Sequence, residues 1–78
     1  MRQKTQKLVI TFPTTTAAMQ AEKRCTERSL PGRLIPVPRE ITAGCGMAWC
    51  APTDAREQLE RFFSEEQMQC SGFYELML

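Results

Sequence analysis

Polar and apolar residues alternate through residues 7–12, KLVITF, with Leu8, Ile10 and Phe12 on one side and Val9 and Thr11 on the other. A period of two predicts a strand. Pro13 stops it, and Thr14, Thr15 and Thr16 offer hydroxyls to cap a helix. The period then becomes helical. In AAMQAEKRCTERSL, Ala18, Ala21 and Cys25 fall on one stripe, and Pro31-Gly32 ends the segment. RLIPVP predicts a second strand, whose prolines lack ladder donors and so place it at a sheet edge. A loop from about Arg39 to Cys45 leads to a third strand, GMAWCA. Pro52-Thr53-Asp54 opens a second helix, with Asp54 and Glu57 spaced as a capping box and Ala55, Leu59, Phe62 and Phe63 as its apolar face. GFYELML predicts a fourth strand with Tyr74, Leu76 and Leu78 on one side.

The order βαββαβ, with right-handed crossovers, predicts an α+β ferredoxin-like sandwich. An antiparallel four-stranded sheet in the order 4-1-3-2 would carry both helices on one face. The whole chain, 1–78, reads as one domain with a polar lead-in over 1–6. Met47 and Trp49 share a face of the third strand, either core or helix-free. Val9, Phe73 and Met77 are expected on the helix-free face, a surface for a regulatory partner or for a homodimer.

Composition narrows the function classes. A chain of 78 residues buries roughly 60% of its unfolded surface, so its core is small. Ten basic and nine acidic side chains, without a block of either sign, give a net charge of +1. That balance predicts neither a nucleic-acid nor a membrane footprint. No apolar h-region follows Met1-Arg2-Gln3-Lys4, so the expected location is the cytoplasm, where thiols stay reduced. The chain has no histidine, which removes a Cys-His nucleophile pair. Its four cysteines are separated by nineteen, four and nineteen residues, without the close pairs of a structural zinc site, so neither metal nor cofactor is expected.

The candidate chemistry lies in IPVPREITAGCG. In the expected topology the second strand ends, and the third begins, at the sheet end where the first helix starts. Cys45 then lies near Thr14, Thr15 and Thr16, beside unpaired amides and a positive helix end. Such a position lowers a thiol's pKa below the usual ~8.5. Gly44 and Gly46 leave the backbone open and permit positive φ, and Arg39 adds a guanidinium on the same loop. The motif therefore reads as an accessible thiolate with anion stabilisers around it. It reads equally as a glycine turn whose cysteine is incidental. Cys25 belongs to a buried helical stripe. Cys70 is a candidate resolving thiol at the same sheet end, although about 10 Å separates strands that are not neighbours and a disulfide needs Cα atoms within about 7 Å. Cys50 lies toward the far end of the third strand.

LVITFPTTTAAMQAEKRC, LPGRLIPVPREITAGCGMAWCAP and GFYELML together resemble the small bacterial family described as Se/S carrier protein-like, over about Leu8 to Leu76. The resemblance implies a carrier that holds sulfur or selenium on cysteine as a persulfide or perselenide. It implies Cys45 as the carrier atom's site, a donor such as a cysteine desulfurase, and an acceptor protein. On that reading the chain is an accessory protein rather than a turnover enzyme. A non-catalytic interaction module on the helix-free face and a small thiol redox protein using Cys45 with Cys70 are the competing readings.

Overall fold

The computed structural model describes residues 5–39, 41 and 46–78. The elements follow in the order β1 (Gln6–Thr11), α1 (Thr15–Glu27), β2 (Arg33–Pro36), β3 (Met47–Pro52), a 3-10 turn (Thr53–Ala55), α2 (Arg56–Glu65) and β4 (Gly72–Met77). One antiparallel sheet orders them β2-β3-β1-β4, the expected βαββαβ arrangement.

The alternation in β1 decides where the two layers meet. Leu8, Ile10 and the adjacent Phe12 enter the helix-side core with Ala18, Ala21 and Cys25 of α1 and Leu59, Phe62 and Phe63 of α2. Trp49 and Met47 also pack on this side. The indole donates from Nε1 to the Pro31 carbonyl at 3.1 Å, so its polar edge stays bonded. Gly32 makes room for that ring. Its φ is +122°, and a Cβ there would lie 2.3 Å from Trp49 Nε1.

Both helices stop through the same backbone device. Past α1, Ser29 takes φ +56°, its amide donates to Thr26 O, and the Leu30 amide donates to Cys25 O. Past α2, Gln67 takes φ +53°, with Gln67 N donating to Ser64 O and Met68 N to Phe63 O. These are Schellman closures, and each sends an apolar residue, Leu30 or Met68, onto the core. The helix therefore ends at Glu27, ahead of Pro31-Gly32, and Ser29 rather than glycine supplies the left-handed residue.

Two further expectations are corrected. Asp54 and Glu57 form no capping box. The 3-10 turn places Ala55 at the N-cap of α2, where no side chain caps the helix. Phe73 and Met77 do not join Val9 on the helix-free face. The register pairs Val9 with Tyr74 and Ile10 with Phe73, and Phe73 meets the Phe63 ring edge-on at 6.0 Å. Residues 73, 75 and 77 share that phase, and Glu75 bonds Arg56 of α2 at 2.6 Å.

The helix-free face is not bare. Ile41 is buried against Val9 and Ala48, with Ile35, Val37, Leu76 and Leu78 around them. The segment after β2 thus folds back over the sheet.

Candidate functional site

Three strand ends converge where α1 begins. Thr11 pairs with Ala48 on one side and Gly72 on the other, and Ser71 N donates to Thr11 O at 2.7 Å. Four residues after Thr11 the chain turns into α1. Thr14, extended at φ −142° and ψ 159°, caps it. Its Oγ1 accepts from Ala17 N at 3.1 Å, and its carbonyl accepts from Ala18 N at 3.1 Å. The amides of Thr15 and Thr16 precede the first helical bond, and no partner meets them among the described residues. Both residues are exposed, and the first turn contains no acidic side chain. This end of the helix is therefore positive and open to an anion.

The β2–β3 connection closes at the same end of the sheet. Val37 N donates to Gly46 O at 2.9 Å, and Ile41 N donates to Pro38 O at 3.0 Å. Gly46 is exposed at φ +87°, the left-handed region that favours glycine. A Cβ there would meet nothing within 4 Å among the described residues, so conformation rather than space calls for glycine. Arg39 is exposed on the turn, and among the described residues no carboxylate pairs with it. Gly44 and Cys45, the centre of the expected site, lie outside the described residues. What the structure brings to one sheet end is Gly46, the Thr14 cap and the open amides of Thr15 and Thr16.

The remaining cysteines separate by face. Cys25 is fully buried in the helix-side core, and burial pushes its thiol up to about 11. Cys70 is half-buried against the same core, and burial raises it too. Its position beside Thr11 matches the expected sheet end, but it packs on the helix side, whereas Val37 and Ile41 lie on the other.

Cys50 is the residue that sequence reasoning passed over. It pairs with Val9 on one side and Arg33 on the other, which puts it on the helix-free face. There it lines a groove of about 610 Å³ with Lys7, Arg33, Ile35, Pro38 and Leu78. The signal was present in GMAWCA. Once Trp49 is assigned to the core, alternation sends Cys50 to the opposite face.

Comparison with known proteins places the chain. A family profile described as "Putative Se/S carrier protein-like" matches residues 7–75. Neither the curated proteins nor the solved structures contain a match. Among the described residues no helix is long and apolar enough to cross a membrane. The profile runs from Lys7 in β1 to Glu75 in β4 and through the loop that carries Gly44-Cys45-Gly46. The chain belongs to the Se/S carrier protein-like family.

Proposed function

We propose that this protein carries sulfur or selenium on Cys45 and passes it to a partner. The observation that carries the reading is the family match across residues 7–75, which takes in the one cysteine flanked by two glycines. The Cys45 thiolate attacks the terminal sulfur or selenium of a donor persulfide or perselenide. The donor's S–S or S–Se bond breaks, the donor thiolate leaves, and the chalcogen stays on Cys45. An acceptor nucleophile then repeats the step in the other direction.

The anionic cargo needs stabilisation that does not block access. Gly46 at positive φ, the uncommitted amides of Thr15 and Thr16, and Arg39 supply polar hydrogens and positive potential around this end of the sheet. The buried thiol of Cys25 and the half-buried thiol of Cys70 are poor alternatives, because burial disfavours their thiolates.

The test is incubation with a cysteine desulfurase and cysteine, followed by intact-mass and peptide-resolved mass spectrometry. The expected product gains one sulfur on the Cys45 peptide, and Cys45→Ser abolishes the gain. A gain of equal yield in Cys45→Ser overturns the proposal. Alkylation offers a donor-free check: Cys45 should be the first of the four thiols to react at neutral pH.

A further inference from the structure

We propose that the groove on the helix-free face captures small anionic disulfides, with Cys50 as the thiol that becomes joined to them. This inference does not depend on the carrier reading, and it uses none of the residues of the loop.

Arg33 and Cys50 are directly opposed across β2 and β3, where paired Cβ atoms lie about 4.5–5.5 Å apart. Lys7 pairs with Pro52, two residues along β3, so it is the diagonal neighbour of Cys50 on the same face. Two adjoining concavities, of about 610 and 300 Å³, share these three side chains. The larger falls within the usual range for small-molecule sites. Its wall also includes Ile35, Pro36 and Leu78. Among the described residues neither Lys7 nor Arg33 has an acidic partner. The nearest strand carboxylate, Glu75, faces the other side and is held by Arg56. The charged side chains that line the groove are thus both cationic, its wall is partly apolar and built on paired strands, and a partly exposed thiol lies beside them.

A ligand that suits it has a carboxylate for Lys7 or Arg33, a short aliphatic body, and a disulfide. The reaction is thiol–disulfide exchange. The Cys50 thiolate attacks one sulfur of R–S–S–R, and a new S–S bond forms. The old S–S bond breaks, and R–S⁻ departs with its electron pair and takes a proton from water. The Cys50 sulfur is oxidised and the leaving sulfur is reduced. The cations act before the exchange by concentrating an anionic reactant at the thiol. Cys25 and Cys70 have no comparable setting, because both pack in the helix-side core.

The experiment measures modification of the Cys50 peptide by oxidised glutathione, which is anionic, by 2-hydroxyethyl disulfide, which is neutral, and by cystamine, which is cationic. Each rate is divided by that for the same peptide in urea-unfolded protein, which removes the intrinsic reactivity of the reagent. The expected normalised rate is about tenfold higher for oxidised glutathione than for cystamine in low salt, and the ratio falls as salt is raised. The Lys7→Gln/Arg33→Gln variant should lose the preference while Cys50 remains reactive toward the neutral reagent. Equal normalised rates in the native protein overturn the proposal. So does a preference that survives both substitutions or high salt.

Discussion

The two faces of the sheet are made by the same four strands, yet they give a thiol different surroundings. On the helix side, Phe12, Phe62, Phe63 and Phe73 cluster around Leu8, Ile10 and Leu59, and the cysteines there are desolvated. Cys25 is driven to about 11, and Cys70 is raised as well. On the other side a smaller cluster of Val9, Ile41 and Ala48 covers part of the sheet, and next to it Cys50 lies between Lys7 and Arg33. Helices cover one face and a returning loop covers part of the other. If the exchange proposed for Cys50 occurs, the difference gives stability to one side and chemistry to the other.

Removing an anchor from each side tests that division. Phe63→Ala deletes a ring that contacts three other rings and should cost about 3–5 kcal/mol, enough to threaten folding of a domain this small. Ile41→Ala removes the cap of the smaller cluster and should cost about 2 kcal/mol. Urea denaturation gives both values. An Ile41→Ala loss equal to that of Phe63→Ala would show that the loop, too, is a stability element.

A smaller effect concerns Thr11, which is fully buried on the phase of Val9. Among the described residues its Oγ1 has no hydrogen-bond partner. Thr11→Val keeps the shape and removes a desolvated hydroxyl, so it should raise stability by about 1 kcal/mol. A loss instead would reveal that the hydroxyl is bonded in solution.

The last effect emerges only at alkaline pH. The native state holds the Cys25 proton up to about 11, whereas an ordinary solvated thiol releases it near 9.0. The folded state binds that proton more tightly than the unfolded one. Its contribution to stability is therefore complete below about 9 and declines as pH rises toward about 11. Cys25→Ala should flatten this part of the stability–pH curve. An unchanged curve would place the alkaline sensitivity elsewhere.

The strand and helix phases were legible because each carries a one-sided pattern. Leu8, Ile10 and Phe12 set β1, and Leu59, Phe62 and Phe63 set α2. GFYELML was ambiguous because both of its faces are apolar, and only pairing of Ile10 with Phe73 decides the matter. Thr14 was readable as a cap because Pro13 fixes the break before it, whereas the 3-10 turn at 53–55 shifts the start of α2 past the Asp54–Glu57 spacing. The left-handed Ser29 and Gln67 gave no signal, since neither residue type favours that conformation. For the candidate site, the meeting of the helix start and Gly46 followed from topology. The Cys50 groove did not, because it depends on which face Trp49 takes and on the cross-strand neighbours Lys7 and Arg33.

If Cys45 carries the cargo proposed above, the bond from Val37 to Gly46 limits how far that cargo can travel. Successive Cα atoms are about 3.8 Å apart, so a residue next to Gly46 is leashed that closely to a point hydrogen-bonded to the mouth of β2. A carrier built this way has no swinging arm. It cannot shuttle its load across a gap between two docked enzymes, as a long tethered prosthetic group can. On that proposal, donor and acceptor would each press against the same end of the sheet, in turn, and their footprints would overlap. Delivery then becomes a matter of exchange between partners that exclude one another. The occupancy of the carrier, loaded or empty, is the natural quantity for such partners to sense.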